Sequence, residues 1–374
     1  MKYFIIAGEA SGDLHGSNLM AALKQVDSSA EFCFLGGDLM LAQGGTMVKH
    51  YREMAFMGFV NVLLNMRTVL QNMRECKRAI IDFRADVVIL IDYPSFNLRM
   101  AKFVKKQTQT PVYYYISPKL WAWKTYRIKS IKKYIDQMYT IFPFETDFYA
   151  SYHYSVHYVG NPTVDSISQF RDHKPKADFR ETYQLDNRPI VALLAGSRKQ
   201  EIDQCLPIMV SMSDKFLDFQ FVVASAPGID VDFYKPFLSD RVKMVQGNTY
   251  WLLDNAYAAI VNSGTATLEV GLLKVPQVVV YHVIGGRFAS FLKKILIKTK
   301  YISLVNLVAE TGVVQELVAH LFTVANVERE LTQILRNKEY YYTIIAGYNV
   351  LETRLGEAGT AVRAAKAISK NLRE

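Results

Sequence analysis

Residues 2–16, KYFIIAGEASGDLHG, join a short apolar run to a glycine-rich turn that leads into a helix pattern. The aromatic and β-branched run at residues 3–7 predicts a buried strand, and residues 17–25 predict a helix. Between them, Gly8, Gly12 and Gly16 recur at every fourth position. This is the first strand-turn-helix unit of a parallel sheet, and the turn lacks the G-x-G-x-x-G spacing of a dinucleotide site.

The same alternation of strand and helix continues along the chain. The predicted strands are 3–7, 31–35, 87–92, 112–116, 138–142 and 156–159 in the first half, and 190–194, 220–224, 242–245, 258–261 and 277–281 in the second. Polar residues 165–189 predict the domain junction, and beyond about residue 324 only helices are predicted. We therefore expect an α/β protein with two doubly wound, Rossmann-like domains that face a cleft.

The composition indicates an ordinary globular protein. With 374 residues, half of them hydrophobic, the chain is long enough to form two cores. Cys33, Cys76 and Cys205 have neither disulfide nor zinc spacing, which suits a reducing compartment. Neither a signal-peptide pattern nor an uncharged apolar run of about 18 residues occurs, so we expect a cytoplasmic protein that does not span a bilayer.

The positive charge is unevenly distributed. Residues 93–135 contain ten Lys and Arg and no acidic residue, and residues 270–309 also lack acidic residues. Such stretches attract phosphates, nucleic acid or anionic lipid headgroups, and nucleic acid is disfavoured because no motif for it accompanies the charge. Residues 284–307 could lie among headgroups or form a surface helix, and the apolar residues 57–64 could line an acyl-chain groove or belong to the core.

Candidate functional residues lie at the ends of three predicted strands of the first half. Asp92 lies at the carboxyl end of its strand, where it could act as a general base or could cap the next helix. The turn at residues 8–16 contains Glu9, Ser11, Asp13 and His15, which is more than a tight turn requires, although a purely structural turn is the alternative. The run 115–124 contains Trp121 with nearby lysines, which suits either a sugar-binding platform or core packing.

Two turns of the second half predict an anion site. Gly196, Ser197 and Arg198 follow a strand and bring a flexible backbone, a hydroxyl and a guanidinium to where a phosphate would bind, unless they form a surface loop. Residues 262–269 form a second small-residue turn, whose helix carries Glu269 as a candidate for a ribose diol. No Walker lysine follows, so an ATPase P-loop is not expected.

Over residues 1–320, an ordered set of motifs resembles the lipid-A-disaccharide synthases, inverting enzymes of glycosyltransferase family 19. The set comprises residues 8–16, 57–59, 92–99, 117–123, 142–145, 159–162, 196–198, 263–269 and 303–306. Two positions depart from the family pattern, which usually has Pro at the position of Ala195 and His at the position of Asn161. Neither departure removes a charged group, but the first concerns the geometry of the phosphate loop and the second the domain hinge.

The resemblance implies a glycosyltransferase-B fold with an acceptor domain at residues 1–164, a UDP-sugar domain at 165–345 and helices at 346–374 that return to the first domain. It also implies that UDP-2,3-diacylglucosamine donates its sugar to the 6-hydroxyl of 2,3-diacylglucosamine 1-phosphate, which yields a β-1,6 disaccharide and UDP. Both substrates carry acyl chains, so we expect docking on the inner face of the cytoplasmic membrane. A homodimer is left open.

The resemblance also suggests roles for individual residues. Asp92 is the favoured general base, with His15 and Glu9 as competitors. The acceptor-binding candidates are Ser11, Gly12, Asn97, Ser117 and Trp121. The candidates for the UDP-sugar are Gly196, Ser197, Arg198, Ser263, Gly264, Thr265, Glu269 and Asn306. Because Arg198 and helix N-termini can stabilise a diphosphate, we expect neither a metal ion nor another cofactor.

Two rival functions remain open at this point. One keeps the fold and changes the substrate, as in a related UDP-N-acetylglucosamine transferase or a 2-epimerase. The other is a non-catalytic, basic protein that binds lipid or nucleic acid. The enzyme hypothesis predicts that Asp92→Ala and Arg198→Ala each lower turnover by roughly 100-fold or more, whereas the binding protein would tolerate both changes.

Overall fold

The computed structural model describes residues 1–54, 66–122, 124–282 and 300–373. It divides into two compact units, one formed by Met1–Pro162 with Glu357–Glu374 and the other by Thr163–Gly356. Each unit has its own parallel sheet with helices between the strands. The α/β class and the two Rossmann-like domains predicted from the sequence are therefore confirmed.

The first unit contains a seven-stranded sheet in the order β3-β2-β1-β4-β5-β6-β7. Its strands are β1 (Lys2–Ala7), β2 (Glu31–Gly36), β3 (Thr46–His50), β4 (Val87–Ile91), β5 (Val112–Tyr115), β6 (Gln137–Thr140) and β7 (His157–Tyr158). Its helices include α1 (Ala10–Val26), α2 (Asp38–Ala42), α3 (Met66–Phe83), α4 (Pro94–Gln107), α5 (Ile128–Tyr134) and α6 (Phe144–Ala150). The strand order reverses between β1 and β4, which is where doubly wound sheets bind ligands.

The central strands of this sheet are buried on both faces. All five residues of β4, VVILI, are buried, as expected for a parallel sheet covered by helices on each side. On one face, α1 and the last helix of the chain pack together over β1 and β4. That helix inserts Ala364, Ala365 and Ile368 into the core beside Leu19 and Leu23 of α1.

The second unit contains a six-stranded sheet in the order β10-β9-β8-β11-β12-β13. Its strands are β8 (Ile190–Leu194), β9 (Gln220–Ala224), β10 (Val242–Val245), β11 (Ala256–Asn262), β12 (Gln277–Tyr281) and β13 (Glu316–Val318). The remaining helices are α7 (Pro162–Asp172), α8 (Phe179–Thr182), α9 (Lys199–Ser211), α10 (Thr249–Asp254), α11 (Ala266–Leu272), α12 (Leu304–Ala309), α13 (Val324–Arg336), α14 (Lys338–Leu355) and α15 (Thr360–Arg373).

Helix α1 begins seven residues earlier than the sequence pattern indicates, at Ala10 instead of residue 17. Most of the predicted glycine-rich turn is therefore helical. The glycines are needed for close packing of this helix: a Cβ at Gly12 would lie 3.2 Å from Ala7 Cβ, and one at Gly16 would lie 2.6 Å from Met40 Sδ. Small residues at a helical spacing of four can resemble a loop when the sequence is taken alone.

The structure draws the unit boundaries at Pro162 and Gly356 rather than at residues 164 and 345. Helix α14 stays with the second unit because the buried hydroxyl of Tyr348 donates to Val275 O, 3.0 Å away, and accepts from Gln277 Nε2 at 3.1 Å. Only the segment from Glu357 onward packs in the first unit. Strands β3 and β13 were not predicted from the sequence.

Three sequence features lie outside the described residues: the apolar stretch 57–64, Trp123 and most of the basic stretch 284–307. Within the segments that are described, no helix is both long enough and apolar enough to cross a membrane.

Candidate active site

In the first unit, Asp92 occupies a tight left-handed turn between β4 and α4. Asp92 and the following Tyr93 have φ angles of 41° and 47°, and α4 begins directly afterwards at Pro94. Two consecutive non-glycine residues in this region are unfavourable and persist only where neighbouring groups hold them. The turn places Asp92 at the carboxyl end of β4, as predicted.

Three side chains hold this turn by hydrogen bonds to main-chain oxygens. Asn97 Nδ2 donates to Ile91 O at 3.1 Å and to Asp92 O at 2.7 Å, and the hydroxyl of Tyr114 also donates to Asp92 O. The hydroxyl of Tyr93 donates to Met54 O at 3.2 Å. Asn97 was predicted as an acceptor-binding residue, yet its side chain is buried and directed to the backbone that carries Asp92.

The carboxyl group of Asp92 is partly exposed and lies in a mixed electrostatic environment. Burial and, to a smaller extent, the nearby carboxylate of Glu9 together raise the pKa of Asp92 to about 6. The positive charge of Lys119 lowers the pKa and limits the shift. A carboxylate that titrates closer to neutral pH is a stronger proton acceptor, which suits a general base.

The turn after β1 lies beside this group. Glu9 is the N-terminal cap residue of α1, and the preceding Gly8 is so close to Tyr93 that a Cβ on this glycine would lie 2.3 Å from the ring, so the two turns are neighbours. Ser11 is exposed on the first turn of α1, and the neighbouring Gly12 is buried against β1. His15 is partly buried one turn further along the helix.

Asp13 is a buried carboxylate of α1 that was assigned no role of its own from the sequence. Its oxygens accept hydrogen bonds from the backbone N–H groups of Gly37, Leu39 and Met40, at 2.8 to 3.1 Å. These bonds tie the start of α2 to α1. Asp13 therefore has a structural role.

Ser117 and Trp121, predicted to bind the acceptor, lie in the segment after β5. Ser117 is buried, its hydroxyl donates to Pro118 O at 3.0 Å, and its Oγ lies 2.7 Å from the hydroxyl of Tyr149. Trp121 is partly exposed, and the edge-to-face contacts of its ring with Phe142 and Phe144 have centroid distances of 6.4 and 5.1 Å. Of the two side chains, only that of Trp121 has exposed surface for a ligand.

A buried carboxyl group, Glu145, lies at the start of α6 behind this segment. Its Oε2 accepts from Phe142 N at 3.1 Å and from Ile141 N at 3.3 Å. Burial raises the pKa of Glu145 to about 7, although hydrogen bonds from these two N–H groups oppose the shift. With only 1% of its surface exposed, Glu145 is unsuited to direct contact with a substrate.

In the second unit, the turns after β8 and β11 meet because these two strands are neighbours. Gly196 has a φ of 120°, and a Cβ at this position would lie 2.8 Å from Asn262 Nδ2 at the end of β11. Arg198 is 71% exposed and pairs with Glu201, whose carboxylate also accepts from Ser197 N at 3.1 Å. The sequence did not single out Glu201, which holds this loop in shape.

The turn after β11 is exposed at its tip. Gly264 and Thr265 are exposed and Ser263 is partly buried. Ser263 N donates to Val280 O at 2.9 Å, and the hydroxyl of Thr267 donates to Gly264 O at 2.8 Å. These hydrogen bonds hold the turn on its buried side. Its exposed small residues lie next to the loop Gly196 to Arg198, which follows the neighbouring strand β8.

Glu269 lines a pocket of about 620 Å³ in the same unit. The hydroxyl of Tyr250 donates to Glu269 Oε1 at 3.0 Å, and burial raises the pKa of Glu269 despite this bond. The walls also include Ser225, Gly228, Gln246 and Asn248, from the loops after β9 and β10. Glu269 was predicted from the sequence, but these loops were not, because their residues form no recognisable motif.

Asn306 is directed into the protein and not toward this pocket. It is 1% exposed, its Oδ1 accepts from Val313 N and Val314 N, and its Nδ2 donates to Val314 O and to Glu316. All of these bonds join α12 to the approach of β13. The prediction that Asn306 lies near the donor receives no support from this geometry.

One pair of carboxylates has the Asp-x-Asp spacing, Asp230 and Asp232. Asp230 caps a short 3-10 helix (Val231–Phe237) by accepting from Asp232 N at 2.9 Å, and Asp232 forms an exposed ion pair with Lys235. Both side chains therefore interact within their own helical turn.

The chain is similar to known proteins over nearly its whole length. The family model described as lipid-A-disaccharide synthetase matches residues 3–365. Lipid-A-disaccharide synthase of Coxiella burnetii is 36% identical over 97% of this chain and 96% of its own length, and that of Myxococcus xanthus is 36% identical over 98% and 96%. Among solved structures, UDP-GlcNAc 2-epimerase from Neisseria meningitidis bound to UDP-GlcNAc is similar in fold, with a TM-score of 0.63, 15% identity and complete coverage of both chains.

Proposed function

Because the chain belongs to the lipid-A-disaccharide synthetase family and is a UDP-sugar glycosyltransferase of the glycosyltransferase-B fold, we propose how its residues divide the reaction between them. The reaction transfers 2,3-diacylglucosamine from UDP to the 6-hydroxyl of 2,3-diacylglucosamine 1-phosphate. The bond between the sugar C1 and the diphosphate breaks, a bond from the acceptor O6 to C1 forms, and the electron pair leaves with UDP. One proton must leave O6.

Asp92 accepts this proton. The observation that carries the proposal is a partly exposed carboxyl group, held in a left-handed turn at the switch point of the sheet, with a raised pKa. Glu9 is the closer competitor because it interacts with Asp92, and its negative charge makes Asp92 a better base. His15 is the second competitor, and it is partly buried one turn into α1.

The second unit binds the UDP part of the donor. Arg198 and the exposed residues Ser197, Gly264 and Thr265 surround the diphosphate, and Ser263 supports this turn. The guanidinium compensates the charge that develops on the leaving group. Glu269 accepts hydrogen bonds from the ribose hydroxyls in the pocket that it lines with Tyr250.

Transfer proceeds without a metal ion in this proposal. The support is the permanent positive charge of Arg198, whose side chain is 71% exposed beside the turn at Ser263. A guanidinium can perform the charge compensation that a divalent ion performs elsewhere. EDTA should therefore leave the rate unchanged, whereas a rate that falls with EDTA and returns with Mg²⁺ would refute this part of the proposal.

The first unit docks on the anionic inner face of the cytoplasmic membrane. The acid-free stretch 93–135 includes α4 and α5, and Tyr126 between them is 68% exposed with Lys124 and Arg127 close in sequence. An exposed tyrosine among cations is suited to the headgroup region. Tyr126→Ser should weaken sedimentation with anionic vesicles, whereas Tyr342→Ser, which alters a tyrosine that is 66% exposed in the second unit, should not. Light scattering of the purified protein in the absence of vesicles tests for a homodimer.

The activity is tested by incubating the purified protein with UDP-2,3-diacylglucosamine and 2,3-diacylglucosamine 1-phosphate and detecting UDP and the disaccharide by mass spectrometry. Asp92→Asn should lower kcat by roughly 100-fold or more. The matched control is Asp86→Asn at the opposite end of the same strand, where the exposed side chain accepts a hydrogen bond from Lys2 N at 2.7 Å. Full activity of Asp92→Asn would transfer the role of base to Glu9 or His15.

A further inference from the structure

We propose that Asn97 and Tyr114 are positioning residues that hold Asp92 in its reactive orientation without touching either substrate. The proposal rests on the role of Asp92 as the base. Its structural support is the convergence of Asn97 Nδ2 and the Tyr114 hydroxyl on the carbonyl oxygen of Asp92, with a further bond from Asn97 to Ile91 O.

The left-handed backbone makes this support necessary. Asp92 and Tyr93 both have positive φ angles, although neither is a glycine, so the turn would relax toward an extended conformation if its bonds were lost. Relaxation rotates the Cα–Cβ bond of Asp92 and moves its carboxylate relative to the acceptor hydroxyl. Displacements of about 1 Å at a reacting group can lower a rate by roughly 100-fold.

The burial of Asn97 and Tyr114 argues for a positioning role and against direct contact with a substrate. Asn97 and Tyr114 are both 0% exposed, so neither side chain offers surface to a sugar or an acyl chain. Among the described residues, Asn97 Oδ1 is buried without a hydrogen-bond partner. An unpaired buried acceptor is costly, so an amide at this position is useful for its Nδ2 donor and not for its oxygen.

Strand β5 provides a matched pair of tyrosines for the test. Tyr114 and Tyr113 are adjacent and buried, and they belong to the hydrophobic cores on opposite faces of the sheet. Each donates its hydroxyl to one main-chain oxygen, Tyr114 to Asp92 O and Tyr113 to Asn371 O at 3.1 Å. Replacing either by Phe removes one such bond and preserves the ring.

We expect Tyr114→Phe to lower kcat roughly tenfold, with the KM of each substrate within about twofold of the wild-type value. Tyr113→Phe should leave kcat unchanged, although both variants should lose a similar amount of thermal stability. A merely structural role of Tyr114 would lower stability and not kcat. Equal kcat values in the two variants would therefore overturn the proposal.

Asn97→Leu removes the donor at similar side-chain volume. Positioning predicts a lower kcat with an unchanged acceptor KM, whereas direct acceptor contact predicts a higher acceptor KM. If this variant does not fold, the tyrosine pair decides alone. Asp92→Asn separates the two proposals: if it is inactive while Tyr114→Phe is fully active, only the positioning role fails, and if Asp92→Asn is active, the base assignment fails as well.

Discussion

Gly8 and Tyr93 are in such close contact that a Cβ at position 8 would lie 2.3 Å from Tyr93 Cδ1. The contact joins the ends of β1 and β4, where the strand order reverses. The ring cannot move away without breaking the hydrogen bond from its hydroxyl to Met54 O. This single approach therefore keeps the turn that carries Glu9 beside the turn that carries Asp92.

Gly8→Ala should damage both stability and activity. The added methyl group displaces the ring of Tyr93, which changes the adjacent left-handed turn and costs about 1–3 kcal/mol of unfolding free energy. Denaturant unfolding and kcat measure the two effects. Gly312→Ala is the control, because a Cβ there would make only an ordinary 3.8 Å contact with Tyr301. Equal stability and activity of the two variants would contradict the proposed importance of this contact.

The rate should depend on the ionisation of Asp92. Because burial and Glu9 raise its pKa to about 6 and only the deprotonated form accepts a proton, kcat/KM should fall as the pH drops through about 6. Removing the charge of Lys119, which lowers this pKa, should move the acidic limb to higher pH, and Glu9→Gln should move it to lower pH. A limb that stays in place in both variants would argue for a different base.

Glu145→Gln should stabilise the protein above neutral pH. The folded-state pKa of about 7 lies above the ordinary value of 4.5, so the stabilising effect of the protonated group is lost as pH rises from 4.5 through 7. The neutral variant avoids this loss, which amounts to at most about 3 kcal/mol. The melting temperatures of the variant and the wild type should differ little at pH 5. At pH 8, that of the variant should be clearly higher.

Glu75→Gln serves as the control with the opposite sign. A hydrogen bond from Lys49 lowers the pKa of Glu75, so its stabilising effect is present at neutral pH and is lost in acid. This variant should be slightly less stable than the wild type at pH 8 and similar in acid. A gain in stability at pH 8 would show that losing a carboxylate stabilises this protein for some other reason.

Arg198→Ala should affect catalysis far more than stability. Its side chain is 71% exposed, so losing the pair with Glu201 should change the unfolding free energy by less than about 0.5 kcal/mol. Loss of charge compensation on the diphosphate should lower kcat roughly 100-fold. Arg241→Ala is the comparison, since Arg241 pairs with Asp214 and directly precedes the edge strand β10, whereas Arg198 follows the central strand β8 at the opposite ends of these parallel strands. Full activity of Arg198→Ala would contradict its assignment.

The sequence predicted most of the fold because buried parallel strands are continuous apolar runs. Strand β3 was missed because its five residues, TMVKH, are partly exposed and polar in part, and β13 has only three residues. The start of α1 was predicted too late because its glycines suggested a loop. The two strands are defined by pairing with β2 and β12, and the early start of α1 by packing such as that of Gly16 against Met40. These contacts join residues that are distant in the sequence.

The candidate site was predicted unevenly. Asp92, Arg198 and Glu269 could be found because each follows or lies near the end of a strand. Motif position could not show that the polar atoms of Asn97, Ser117 and Asn306 are directed inward, since that depends on packing. Tyr114 gave no signal at all, because in sequence it is an ordinary strand residue whose partner lies 22 positions earlier.

Helix α15 also has a consequence for how the protein is made. The first unit lacks Ala364, Ala365 and Ile368 from its core until the segment from Glu357 onward has been synthesised. At a translation rate of about 5–20 residues per second, the ribosome spends roughly 10–40 s on the intervening unit. During that time the surface of α1 around Leu19 and Leu23 is uncovered, so the nascent chain should be a client of chaperones, and the inserted unit can complete its folding before the one that encloses it in sequence.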